Sequence, residues 1–338
     1  MLNFNLLMFM RQVFFAAVFV AAVCSVSCNK EQIAADVPPE VAEEGKEVEI
    51  NVSVPLAKTK LTTTDGEDNV ETLQVFVFRE DGMLDSWSIA EDAASLSIKC
   101  TAGLKRIVAI VNAPRLTGIT DKTMLDESVS LLDDNWNGHF VMCGSRVETV
   151  VGATDIEVEV KHLAARVSIH KITNAMTLEQ YREKEFKLVS VFLANVPATV
   201  RYDGKGVPTL WYNRRTYTGE MDYLVIDTNI NQVIGYGESY EQPHYLYCYP
   251  NPTETDSIET EWCPRYTRLV VEMEMDSKIY WYPISIKGIE SNHKYEISEL
   301  KITRLGSGFA DWPVTTQDAE FTISVADWEP GISQTVEI

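Results

Sequence analysis

Cys248 and Cys263 are the reactive side chains that spacing brings nearest to useful chemistry. They flank a Pro-rich turn, YPNPTETD, where an exported chain could close one hairpin-spanning disulfide. Buried free thiols suit the same residues equally well, because connectivity cannot be read from spacing. Cys100 and Cys143 complete the mature set, and no CxxC spacing occurs, which argues against a zinc site. His162 and His170 share one parity along a strand region without acidic partners at ligand spacing, so both read as structural and no metal or other cofactor is expected. The chain has no GxSxG, no P-loop and no HExxH. Carboxylates are so abundant that chance pairs do not identify a glycosidase. Tyr280-Trp281-Tyr282 would offer alternate rings to a sugar. The simpler reading is a strand with Trp281 in the core and the tyrosines outside, or the reverse. No enzyme activity is expected.

The rest of the chain must therefore explain itself through its elements and its ends. Residues 13–23 are almost wholly apolar, and Arg11 is the only charge before Lys30. This is a signal-peptide pattern, too short for a membrane span. Met10 with Arg11 is a better start than Met1. The segment ends in SVSC followed by Asn29 and Lys30, and a small residue directly before Cys28 resembles a lipobox, although Ser25 stands where Leu is preferred. A signal peptide over 1–27 and lipid on Cys28 are expected, with an acidic lipidated tether over 28–45. The net charge is −21 and the pI about 4.6. Such a chain repels phosphate backbones, so no nucleic-acid partner is expected. Anionic membrane surfaces repel it too, which leaves a covalent or partner-mediated link.

Strand signals then follow at short intervals. VEINVSVPL places Val48, Ile50, Val52, Val54 and Leu56 on one face by period 2. LQVFVF over 73–78 ends in the turn EDG at 80–82, residues 96–98 follow, and 107–111 reads as a fully buried strand. Residues 120–133 have helical spacing in Met124, Leu125, Val129 and Leu132. Alternation returns in Ile156, Val158 and Val160, and in Val167 and Ile169. The second half predicts strands over 188–192, 223–226, 245–249, 269–273, 279–286, 295–302 and 321–325, with a short helix over 178–184. The fold class is mainly β with a few short helices, in two tandem β-sandwich domains. Their boundary falls near 160–166, where one strand runs from domain to domain.

Five blocks in order now carry a resemblance: EDNVETLQVFVF, SLSIKCTAGLKRIVAIVNAP, KHLAARVSIHKI, GIESNHKYEISELKIT and FTISVADWEPG. The chain resembles the FimA-type fimbrillins, the shaft subunits of type V pili of Bacteroidales, and the related Mfa-type pilins. The resemblance runs over residues 67–331 and implies transthyretin-like, Greek-key sandwiches. It implies export as a lipoprotein to the cell outer membrane surface and assembly into a fimbrium for adhesion. It also implies that a trypsin-like protease removes the first strand and that a neighbour's strand replaces it. The removable strand and cleavage region is then 46–60, with Lys58 and Lys60 at the cut. An Arg-specific protease would fail there, and LTTTDGEDN beyond suits an exposed cut. The first domain spans 61–162. The second spans 163–338 and ends in a donor strand marked by Ile332, Val336 and Ile338, with the hinge-like WEPG before it.

Five aliphatic side chains at about 1.5–3 kcal/mol each make the first strand comparable to a whole domain's stability of about 5–15 kcal/mol. Acidic subunits repel one another, so a polymer of them must rest on buried strands and tolerate salt. Partners expected are copies of the same chain, accessory fimbrial subunits, the processing protease, the outer membrane through Cys28, and a host or bacterial surface ligand. Two rivals remain. An anchor or tip subunit would keep its strand or lack a donor. A glycan-binding surface lipoprotein would need an exposed platform at Trp211, Trp262 or Trp281.

Overall fold

The alternation of Val48, Ile50 and Val52 becomes the strand Glu47–Ser53, which lies in the middle of a three-stranded sheet. The computed structural model describes residues 45–55, 66–136, 138–214, 226–227, 230–257, 261–312 and 319–328. All of these belong to the unit Val41–Ile338, one of two into which the chain divides. The first strand runs antiparallel to Ser95–Thr101, with Ile50 opposite Ile98 and Val52 opposite Leu96. On its other side it runs parallel to Thr154–Glu157, with Val52 opposite Ile156.

A five-stranded sheet packs against this one, in the order Leu84–Glu91, Thr72–Arg79, Gly103–Val111, Met142–Val150 and Lys161–His162. Ile50, Val52, Val54, Leu96, Ile98 and Ile156 meet Leu73, Val75, Val77, Ile107, Ala109 and Val111 in a closed apolar core. The alternate residues Phe76, Phe78, Val108 and Ile110 point the other way and join the large core of the second half. Both faces of Thr72–Arg79 and Gly103–Val111 are covered, which is why residues 73–78 and 107–111 read as continuous apolar runs. At Gly144 a Cβ would lie 1.8 Å from the Glu159 carbonyl oxygen, so only glycine lets residues 158–160 cross that strand.

The chain then changes sheets. Lys161–His162 pairs with Met142–Val150, whereas Ala165–Ile169 pairs with His244–Cys248 and runs parallel to His293–Ile302. Ile172–Asn174 continues beside the same long strand, and Ala319–Asp327 closes its other edge. The facing sheet contains Lys187–Ala194, Thr267–Met275 and Lys278–Ile286. Val167, Ile169, Ile297 and Leu300 from one sheet pack on Leu188, Leu269, Val271 and Ile284 from the other. This is a β-sandwich, as expected.

Several expectations change. In residues 120–133 the α-helix is confined to Lys122–Glu127, capped by Asp121, whose Oδ1 accepts from the Met124 N–H at 2.9 Å, and a 3-10 turn begins at Leu132. Ser128 then turns extended, and Val129–Leu131 is recruited as a strand against Thr199–Arg201. Met124 and Val129 are exposed, so the helical spacing was not a buried face. The helix expected over 178–184 forms at Glu179–Arg182. The strand expected over 223–226 lies outside the described residues except at Ile226, which pairs with Phe192. Leu84–Glu91 and Met142–Val150 had no sequence signal; most of their residues are half-buried or exposed, so neither strand alternates cleanly. In the aromatic run the tyrosines face the core. Tyr282 is fully buried, and Trp281 lies on the opposite face against Phe192, Ala194, Val270 and Ala310.

Candidate functional site

The first strand sits in a seat built almost wholly for it. Ser95–Thr101 and Thr154–Glu157 have no other ladder partner among the described residues. Val54 N–H donates to the Ala94 carbonyl at 2.9 Å, and Val158 N–H donates to the Ser53 carbonyl at 2.8 Å. Ile50 and Val52 are fully buried, Val54 is nearly so, and Val48 packs half-buried at the rim. At about 1.5–3 kcal/mol each, the three buried side chains alone hold roughly 5–9 kcal/mol of apolar burial. The polar fastenings are weak: Lys99 with Glu47 and Asn51 with Asp155 are both exposed. One wall of the seat has its own support. Asp85 accepts from the Thr101 N–H at 2.8 Å and pairs with buried Lys105 at 2.9 Å. Burial works against the Asp85 carboxylate, but the Lys105 and Thr101 donors outweigh it and hold its pKa below the ordinary value.

Among the expected site residues, Val48, Ile50, Val52 and Val54 come together here. Leu56, Lys58, Lys60, Cys28, Ile332, Val336 and Ile338 lie outside the described residues. Cys248 and Cys263 are not joined. All four described cysteines are free, burial pushes the Cys248 thiol up to about 12, and the Cys263 Sγ lies 3.7 Å from the Ser257 carbonyl. Cys248 points into the sandwich core while Cys263 sits in the loop outside it, so the turn does not bring them face to face.

Sequence reasoning missed a second cluster at the crossover between the sandwiches. Glu67, fully buried, accepts from Arg166 Nη1 at 3.1 and 3.0 Å and from Tyr247 Oη at 2.8 Å. Arg166 Nη2 donates to Glu296 at 2.9 Å. His162 Nε2 donates to the Glu67 carbonyl at 3.1 Å, and its ring stacks on Trp328 at 4.2 Å. Burial lowers the His162 pKa, against the pull of Glu67 and Asp68. Phe140 and Tyr247 flank Trp328 at 5.7 and 5.8 Å. The signal was present but scattered: Glu67, His162, Arg166, Asn292, Glu296 and Trp328 are among the polar and aromatic residues of the blocks quoted above.

The three tryptophans proposed for sugar stacking do not share a platform. Trp211 is buried, Trp262 lies edge-on to it at 5.4 Å with its Nε1 donating to Asn195, and Trp281 is packed against Phe192, Ala194, Val270 and Ala310 and bridged to Ser307. Among the described residues no group of His, Cys, Asp and Glu could hold a metal ion, and no helix is long and apolar enough to cross a membrane.

The geometry defines a class: a two-sandwich protein whose first strand fills a seat between two strands that have no other ladder partner among the described residues. Residues 48–171 match the family model described as major fimbrial subunit protein (FimA). No curated protein matches the chain. The fold is similar to a fimbrilin (FimA) of Porphyromonas gingivalis, at 13% identity and a TM-score of 0.59, over 83% of this chain and 98% of that one. It is also similar to a candidate cell adhesion protein of Bacteroides eggerthii, at 16% identity and a TM-score of 0.63, over 84% and 97%. A third likeness is the tip fimbrial protein Mfa3 of P. gingivalis, at 14% identity and a TM-score of 0.50, over 84% and 100%. The resemblance to FimA-type fimbrillins thus holds by the family model in the first sandwich and by fold along most of the chain. Together these findings show the fold that this chain shares with the fimbrilins.

Proposed function

We propose that the chain is a fimbrial shaft subunit that polymerises by exchanging its first strand for a strand of a neighbouring copy. It is exported as a lipoprotein precursor held to the outer membrane through Cys28. A trypsin-like protease that accepts lysine cuts at Lys58 or Lys60, within the strand and cleavage region 46–60, and releases the first strand together with the tether before it. The first domain, 61–162, then presents an open seat, and the segment with Ile332, Val336 and Ile338 at the end of 163–338 fills that of the next copy. This is β-strand addition, in which main-chain bonds give affinity and alternate side chains give register. Accessory fimbrial subunits cap or anchor the fibre, which meets a host or bacterial surface.

The observation that carries the reading is the central place of Glu47–Ser53, with a different strand on each side and three buried aliphatics facing the core. A strand so placed leaves two open edges and an apolar trough when it goes, the arrangement most prone to capture another strand. The test is limited trypsin digestion of the protein from residue 28 onward, followed by intact mass and electron microscopy. A single early cut at Lys58 or Lys60 followed by filaments or SDS-resistant ladders is expected. A resistant site, or a cut protein that stays monomeric, would move the reading to an anchor subunit that keeps its strand.

A further inference from the structure

We infer that Arg166 and Trp328 belong to one shared anchor, which fixes the chain end left by processing and the root of the C-terminal segment in a single frame. The inference rests on the strand-exchange reading above. Glu67 lies seven residues beyond Lys60, and every cluster contact described here comes from Glu67 or later, so a cut at Lys58 or Lys60 removes none of them. Glu67 is held by Arg166 and Tyr247 through its carboxylate and by His162 through its carbonyl. Trp328, 2% exposed, stacks on that same His162 and Tyr247, with the Arg166 guanidinium 5.9 Å from its ring. Its N–H donates to the Asn292 carbonyl at 2.7 Å, and Asn292 Oδ1 in turn accepts from the His162 N–H at 3.1 Å. Three side chains, His162, Arg166 and Tyr247, therefore touch both ends at once.

A polymerising subunit uses these ends together: it opens a seat next to one and extends a strand from the other. A segment hung from a fixed root searches less space than one on a loose root, so its capture by the neighbour costs less ordering. Arg166 acts through Glu67 and Trp328, and is a positioning residue. The indole Nε1 of Trp328 is buried without an acceptor among the described residues, so a phenyl ring can take its place without losing a hydrogen bond.

The test compares the protein from residue 28 onward with its Glu67→Gln, Trp328→Ala and Trp328→Phe variants, each uncut and trypsin-cut. Hydrogen exchange is read at the Trp328 amide and at the Asn69 amide, which donates to the Gly66 carbonyl. Polymer formation is timed in parallel. Expected in the wild type is equal protection of both amides before and after cutting. Glu67→Gln should speed exchange at Trp328 about tenfold or more, Trp328→Ala should do the same at Asn69, and Trp328→Phe should restore it. Trp328→Ala should also slow polymerisation about tenfold with cutting unchanged, again restored by phenylalanine. Exchange at each end that ignores the substitution at the other overturns the anchor, as does wild-type assembly by Trp328→Ala. Should the cut wild type never polymerise, strand exchange falls, while the exchange coupling still upholds or sinks the anchor. Should Trp328→Ala fail to fold, Glu67→Gln and Trp328→Phe decide it.

Discussion

Replacing Ile50 by alanine separates a strand that is discarded from one that stays. Ile50 is fully exposed to the core and closed to solvent, facing Ile98 across the ladder in the seat it shares with Leu73 and Ile107. Deleting its outer carbons at such a site costs about 2–5 kcal/mol, from lost burial and the cavity left behind. Against a domain stability of about 5–15 kcal/mol this is large, and the uncut Ile50→Ala protein should unfold at markedly lower urea. Residue 50 lies before Lys58, so the polymer should contain none of it. Fibres assembled from wild-type and Ile50→Ala precursors should therefore dissociate at the same temperature in SDS. The assay is urea unfolding of each precursor beside heat dissociation of each polymer. Polymer from the variant that falls apart at lower temperature would show that Glu47–Ser53 stays in the fibre, and the removable-strand argument would fail. An unchanged precursor would refute the burial argument itself.

Other outcomes follow from single contacts. Gly144→Ala should destabilise the uncut protein by about 3 kcal/mol or more in urea unfolding, because its Cβ would meet the Glu159 backbone at 1.8 Å. Alkylation of the native protein should label half-exposed Cys263 first and spare Cys248, whose thiol burial pushes up to about 12; mass mapping reads the order. His162 has its pKa lowered in the fold by burial, so the unfolded chain binds more protons below about pH 6.5 and stability falls there as pH drops. That residue contributes at most about 1.4 kcal/mol per pH unit, and His162→Gln should flatten the urea-midpoint profile between pH 7 and 5.

The strands that could be read from the sequence are those whose faces differ or whose faces are both buried. Val48, Ile50 and Val52 alternate because Glu49 and Asn51 face outward, and residues 107–111 run apolar because two cores meet at that sheet. Leu84–Glu91 was silent because its residues are half-buried on both sides. The facing of Tyr280-Trp281-Tyr282 could not be chosen from alternation, since both faces are covered. Residues 303–312 fold over Trp281, fastened by buried Arg265 and Arg268 on Asp311, and Gly306 passes where a Cβ would lie 2.3 Å from the Trp281 carbonyl. The seat was half legible, through its strand but not its walls. The Glu67 cluster joins residues 99 and 130 positions apart, and no local pattern encodes such a meeting.

The distance along the chain between the first strand and its second wall also has a kinetic meaning. Asn51 and Asp155 meet across 104 residues. Pairing over such a separation is slow to form, because the long stretch between the two strands must close before their contacts repay it. The first strand is nonetheless tethered to its own seat, at an effective concentration on the order of millimolar, which outcompetes free strands at micromolar levels. On the strand-exchange proposal, an uncut chain is self-filled by proximity, and severing the tether is what opens the contest.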